Sequence, residues 1–291
     1  MIKFPPFILL VVLFASCTKN VKIKIPPPES QLVVEGYIEN GKSPFVFLTT
    51  NSPFYDTIKL NEIGKYFVSG ATVIVSDGVS VDTLLQFNYD TMGTQIPIYI
   101  SLPPPFGHGI IGQTNHTYTL DVYANGKHLS SVTTIRDLNP LDSIWVKTNV
   151  DPHNDSLVQL FCKYADPPAL GDYIRYFTRV NNQPFYPGEE SVFEDVLING
   201  TTFTFPLDRG VDWNNDATYK HYGLFYKGDT VTVEWAHIDR PHFDFWRTFE
   251  FERNGAGNPF SSPVKVKSNI VGGLGIWGGY AASYKTIIIP Q

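Results

Sequence analysis

Four residues have the donor types and the spacing of a metal site: His237, Asp239, His242 and Asp244. Imidazole and carboxylate together suit zinc or another transition metal, and a helix start can gather such side chains. The alternative is structural. Asp239 stands before Arg240-Pro241 and fits a helix N-cap, with proline tolerated in the first turn, while His237 ends a strand-like run. Gly273-x-Gly275-x-x-Gly278 satisfies a dinucleotide-binding string, but that chemistry needs a preceding strand, a following helix and an acidic residue ~20 positions on. Only 13 residues follow Gly278, and they read as a strand. The glycines are therefore expected to serve tight turns and close backbone approach. Glu189-Glu190 and Glu194-Asp195 have the residue types of a glycosidase pair, yet such pairs are defined by separation in space, and here they read as solvated loop charge. There is no Gly-x-Ser-x-Gly elbow, no His-Glu-x-x-His helix and no cysteine-histidine protease signature. Nothing places a nucleophile, a base and a metal together, so the chain is expected not to be an enzyme.

The elements that must position these residues are almost all strands. Leu32–Ile38, Pro44–Thr49, Ala71–Val75, Thr117–Tyr123 and His128–Ile135 are short β-branched and aromatic runs separated by turns, with Asn125-Gly126 the strongest hairpin signal. Such spacing without a long helical period predicts a β-sandwich over residues 32–137. After the turn-rich Asp137–Asp142, a second β-rich unit is expected over residues 138–291. Its strands are Ser143–Lys147, Leu157–Tyr164, Tyr173–Val180, Phe193–Ile198, Thr201–Phe205, Thr230–Trp235 and Tyr284–Ile289. One short helix is expected after the Asp239 cap, with Pro241 in its first turn and His242–Glu252 following, stopped by Asn254-Gly255. The fold class is thus mainly β: an immunoglobulin-like sandwich followed by a β-rich domain with one helix.

Composition agrees with this and narrows the function. Aromatic residues make up 14% of the chain and charged residues 17%, a balance that suits pleated surfaces. A net charge of -6 argues against nucleic acid, whose readers carry a basic face. Of the 2 cysteines, Cys162 lies in the apolar run Leu157–Cys162 and is expected to be a buried, inert thiol. Two cysteines exclude a disulfide framework and a thiolate metal cluster. Lys3 leads into the apolar run Phe7–Phe14, which is followed by Ala15-Ser16-Cys17. The run is shorter than the ~20 apolar residues of a membrane span and fits a secretory signal peptide over residues 1–16. Cysteine at the cut site is the bacterial lipobox arrangement, in which Cys17 is lipidated and becomes the new N-terminus. An ordinary signal peptide with an incidental cysteine is the alternative. Residues 17–31 then form the lipidated cysteine and a tether containing Pro26-Pro27-Pro28, able to reach ~40 Å from the bilayer. The covalent lipid is the only non-protein group expected.

Several segments together carry a resemblance: Leu32-Val-Val-Glu-Gly36, Ser69-Gly-Ala-Thr-Val73, Asp166-Pro167 with Gly171-Asp-Tyr173, and Ile238-Asp239 before Phe243-Asp-Phe-Trp246. Asn258–Pro263 and Ser268–Tyr280 follow in the same order. The chain resembles a Bacteroidota outer-membrane lipoprotein family of unknown function, domain of unknown function 4249. The resemblance spans nearly the whole mature chain, most specifically in its C-terminal block. It implies an immunoglobulin-like N-terminal sandwich, a β-rich C-terminal part and association with TonB-dependent receptors, and it brings no catalytic residue.

Six Asp-Ser/Thr triplets, with acceptors Thr57, Thr83, Thr91, Ser143, Ser156 and Thr230, resemble the O-glycosylation acceptor of exported Bacteroidota proteins; turn chemistry would produce the same letters. Trp145, Trp235, Trp246 and Trp277 are expected in the core. Trp213, within the polar stretch Asp212–Asp216, is the tryptophan expected to offer an exposed contact. The expected function is a non-enzymatic accessory or binding subunit of the outer membrane, on the cell surface rather than the periplasmic face, working with a TonB-dependent receptor or another β-barrel machine. The alternative is a free-standing binder of glycan or peptide; an enzyme of unknown class is the third reading. A barrel partner calls for a broad aromatic patch without a deep pocket, whereas a ligand binder calls for a cleft lined by aromatics and a few polar groups.

Overall fold

The computed structural model describes residues 30–52, 60–91, 93–212, 221–255 and 262–291. Cys17, most of the tether, Thr57 and Trp213 lie outside the described residues, as does most of Asn258–Pro263. The spine is one eight-stranded sheet. Its strands, in spatial order, are β12 (Tyr186–Glu194), β11 (Tyr173–Val180), β15 (Thr230–Ile238), β16 (Leu274–Ile288), β1 (Leu32–Glu39), β2 (Phe45–Thr50), β6 (Thr94–Ile100) and β5 (Leu85–Thr91). A four-stranded sheet is ordered β4 (Val81–Thr83), β3 (Thr72–Ser76), β7 (His116–Ala124) and β8 (Lys127–Ile135). A second is ordered β13 (Thr202–Leu207), β10 (Leu157–Ala165) and β14 (Phe225–Tyr226), with β9 (Ser143–Lys147) also pairing β10. The helix α1 spans Arg240–Gly255. The chain is mainly β and built as packed sheets, as its alternating runs predict.

Strand alternation sorts the eight-stranded sheet into two faces. The register pairs Gly36 with Trp277, Ser283 with Trp235, and Trp235 with Tyr176, so all of these share one face. Both four-stranded sheets cover that face. Val73, Val75, Leu120, Val122 and Leu129 pack against Val34, Ile38, Val46 and Trp277 in one core. Leu160, Cys162, Tyr164 and Leu207 pack against Ile174, Tyr176, Val233 and Trp235 in the other. On the opposite face α1 lays Phe243 over Ala236, Ile238, Tyr280 and Ala282, and Phe245 and Trp246 over Ile276. The pairing that joins the halves is β1 with β16, which run parallel. The spine therefore crosses the boundary drawn at residues 137 and 138, with β1, β2, β5 and β6 from one side and β11, β12, β15 and β16 from the other.

Four expectations need correction. The strand expected over Phe193–Ile198 ends at Glu194, after which Asp195–Leu197 turn as a 3-10 segment, and the strand itself begins at Tyr186. Pro187 and Gly188 masked it; β12 is an edge strand, where proline is tolerated. The last strand begins at Leu274 rather than Tyr284, so the glycine block lies largely inside β16. The helix starts at Arg240, where the Asp239 cap and first-turn Pro241 place it, but continues through Asn254 and Gly255 instead of stopping after Glu252. Between Val81 and Ile100 the sequence reading resolved no strand, whereas the chain forms β4, β5 and β6 there. Cys162 is fully buried, and burial pushes its thiol up to about 12, which leaves it unreactive at neutral pH.

Candidate functional site

Trp235 and His237 sit two residues apart on β15 and therefore point to the same face, toward β10. Tyr164 on β10 meets both, with ring centroids 5.2 Å from Trp235 and 6.0 Å from His237. Phe193 and Phe205 complete the aromatic group at 5.7 and 5.9 Å from Trp235, and Phe203 stacks on Phe205 at 5.1 Å. Tyr164, Phe193, Phe203, Phe205 and Trp235, but not His237, line a cavity of about 480 Å³, which Asp166, Asp172 and Asp195 also line. The three carboxylates come from two connections, β10 to β11 and the 3-10 segment after β12. One oxygen from each lies within 4.8 Å of the others.

Backbone hydrogen bonds hold this cluster in place. Asp195 Oδ2 accepts the N–H groups of Gly171 at 2.9 Å and Asp172 at 3.2 Å, and Asp166 Oδ2 accepts that of Gly200 at 3.0 Å. Burial, opposed by the Gly200 N–H and reinforced by the Asp195 charge, raises the Asp166 pKa above the ordinary carboxylate range. Burial and then the charges of Asp166 and Asp195 raise Asp172 likewise, against a lowering pull from Arg136. His237 is almost wholly buried, and its Nε2 lies 2.8 Å from the Tyr164 hydroxyl. Burial, aided by Arg136, lowers its pKa to about 4, so the imidazole is neutral at physiological pH.

The four residues first considered as a metal site are not brought together. Asp239 caps α1: its Oδ1 accepts the His242 N–H at 3.0 Å, and its Oδ2 accepts the Thr133 hydroxyl at 2.8 Å and the Thr134 N–H at 2.9 Å. The His242 ring is buried against Gly278. Asp244 pairs with Lys267 at 3.1 Å. Of the four, His237 alone comes near a metal-capable cluster, and its neighbours there are aspartates that the sequence reading did not group, Asp195 having been read as solvated loop charge. Of the glycosylation acceptors, Thr83 and Ser156 are exposed, whereas Thr91, Ser143 and Thr230 are half-buried. Glu190 lines a larger groove along α1, and Glu194 lines both that groove and the aromatic cavity. Asp195 belongs to the carboxylate cluster. Trp235, Trp246 and Trp277 are buried and Trp145 is half-buried.

A second acidic group lies on the helix-bearing face of the spine. Glu234 on β15 is opposite Tyr284 on β16, whose hydroxyl donates to Glu39 at 2.6 Å. Burial and then the Glu39 charge push Glu234 up to about 7, against the pull of Lys42 and Arg175. The folded chain therefore holds a proton that the unfolded chain releases near the ordinary glutamate pKa. The resulting stability is fully present below about pH 4.5 and is lost as pH rises to about 7, a change of roughly 2–3 kcal/mol. His237 acts in the opposite sense, losing stability as pH falls from about 6.5 toward 4. Glu234→Gln should remove the first slope and leave the second. Melting temperatures of the two proteins between pH 4 and 8 check this; parallel curves would refute it.

Comparison with known proteins adds one match: a family model described as a domain of unknown function (DUF4249) covers residues 18–286. No curated protein matches the sequence.

Proposed function

We propose, for a chain that belongs to the DUF4249 family, a non-enzymatic binding role at the outer membrane, with the ligand entering the aromatic cavity beside Trp235. The cavity carries this reading. Its volume of about 480 Å³ falls within the ~300–1,000 Å³ of small-molecule sites, and its lining of five aromatic rings and a few convergent carboxylates has their usual chemistry. Flat rings offer stacking to a sugar face or an apolar peptide side chain, while the carboxylates fix orientation. The membrane anchor is supported by the sequence Lys3–Cys17, in which a short apolar run leads to an acylatable cysteine.

An accessory role beside a TonB-dependent receptor or another β-barrel is the second reading, and one surface favours it. Beyond α1, the same face of the spine continues through Phe45 and Phe47 on β2 and Ile96, Ile98 and Ile100 on β6 to Leu85, Phe87 and Tyr89 on β5. Phe87 is 42% exposed and Tyr89 68%, a density of apolar surface typical of interaction sites.

Ligand retention separates the two. Full-length protein is incubated with glycan and peptide digests of the native envelope, washed, and examined by native mass spectrometry beside Phe203→Ser. The wild type should retain an adduct class that the variant loses while keeping its β-sheet circular dichroism. No adduct on the wild type, or equal retention by both, overturns the cavity reading and moves weight to the partner surface.

A further inference from the structure

We propose that Asp166, Asp172 and Asp195 hold a calcium ion at the edge of the aromatic cavity, leaving coordination positions open to an oxygen-rich ligand. This rests on the cavity being the binding site. The donor set is the first argument. Three carboxylates and no thiolate select a hard cation. Calcium takes oxygens at ~2.3–2.6 Å, so its ligand atoms lie up to about 5 Å apart, and the three carboxylate oxygens fall within 4.8 Å of one another. Magnesium, at ~2.0–2.1 Å, would need a tighter set. Asp166 and Asp195 each use Oδ2 on backbone N–H groups, which fixes their orientation while Oδ1 makes no hydrogen bond among the described residues. No lysine or arginine forms a salt bridge with any of the three among the described residues. Burial and mutual repulsion, which raise the Asp166 and Asp172 pKa values, are the forces a bound cation would relieve.

A buried, unpaired donor lining the same cavity supplies the second, independent argument. Trp235 is 1% exposed and lines the cavity, and its indole N–H has no acceptor among the described residues. A buried donor left unpaired costs about 1–3 kcal/mol, and an oxygen of a bound ligand would satisfy it. His237 stands behind the cluster, outside the cavity lining but beside Asp172. Asn139 donates to the Tyr164 hydroxyl at 3.1 Å, which directs the phenol proton to His237 Nε2 at 2.8 Å. The imidazole proton then sits on Nδ1, 4.0 Å from Asp172 Oδ1. That is too long for a hydrogen bond, so movement of Asp172 onto an ion would have to close it before the imidazole could orient the ligating carboxylate. Oxygen-rich ligands, such as polyols and carboxylates, could then bridge the ion and the Trp235 N–H while resting on the aromatic rings.

The test uses the metal alone on full-length, chelator-treated protein. Calorimetric titration with CaCl2 should show one site per chain, at the ~0.1–1 mM affinity of extracellular calcium modules or tighter. Terbium should luminesce by energy transfer from Trp235 and be displaced by calcium. Asp172→Asn, at a carboxylate that accepts no hydrogen bond among the described residues, should weaken binding at least ~10-fold, and His237→Gln about 10-fold. No heat and no sensitised emission from the wild type would overturn the proposal. So would unchanged affinity in a folded Asp172→Asn. Envelope-ligand retention without calcium binding would sink the ion site alone; calcium binding without any retained ligand would sink the cavity reading alone.

Discussion

Gly275→Ala should yield no folded protein. Gly275 has φ +108°, and a Cβ there would lie 1.8 Å from the Val34 carbonyl oxygen. Val34 is its register partner in the parallel β1–β16 pairing, so the obstacle is backbone held by hydrogen bonds rather than a side chain able to swing away. Relief would require separating the two strands that join the halves of the spine. The cost should exceed ~4 kcal/mol, a large fraction of the stability of an ordinary domain. Gly126→Ala is the control. It also has positive φ, but a Cβ there meets nothing within 4 Å, so only the left-handed penalty of about 1–2 kcal/mol applies. Soluble yield and urea unfolding of the two variants distinguish them. A folded Gly275→Ala, with a midpoint near that of Gly126→Ala, would show that β1 and β16 are not tightly paired.

The same glycine shows where sequence reading stops. Gly273, Gly275 and Gly278 were legible as residues needed for close backbone approach, and a Cβ on Gly278 would indeed lie 2.4 Å from the His242 ring. What they approach was not legible. β1 and β16 are separated by most of the chain, and parallel pairing leaves no turn signal of the kind that marked Asn125-Gly126, whose φ values are +52° and +72°. Local chemistry was readable wherever its partners were local: the Asp239 cap, the alternation of β7 and β8, the buried thiol of Cys162. The cavity failed that condition. Asp166 and Asp172 entered the sequence reading only through the family resemblance, and Asp195 as half of the acidic pair Glu194-Asp195, so nothing local grouped the three. Their convergence depends on two connections meeting at one end of a sheet whose order the sequence does not encode locally. His237 was singled out, but with neighbours chosen by sequence distance instead of by strand register.

Arg175→Met should destabilise the chain by about 3–5 kcal/mol, the usual cost of removing one partner from a buried charged network. Arg175 is 3% exposed on β11, with its guanidinium 3.4 Å from the ring centroid of Trp246 and 4.6 Å from that of Phe177. It donates from Nη1 to the Tyr280 hydroxyl at 2.7 Å and from Nε to Ser191 Oγ at 3.3 Å. Ser191 passes the connection on, donating its N–H at 2.9 Å and its hydroxyl at 2.5 Å to Glu250 of α1. Burial raises the Glu250 pKa, while Ser191 and Arg175 hold it down. One cation thus links β11, β12, β16 and the helix, at a surface where apolar contacts alone would allow α1 to slide. If the network acts as a unit, Arg175→Met and Glu250→Gln should not add. The double variant should be more stable than the sum of the singles predicts by at least ~1 kcal/mol, because removing both charges leaves neither stranded. Urea unfolding of the four proteins gives the coupling directly. Additivity within about 0.5 kcal/mol would mean that each group is held by its own local contacts, and that the helix is positioned by Phe243, Phe245 and Trp246 without electrostatic help.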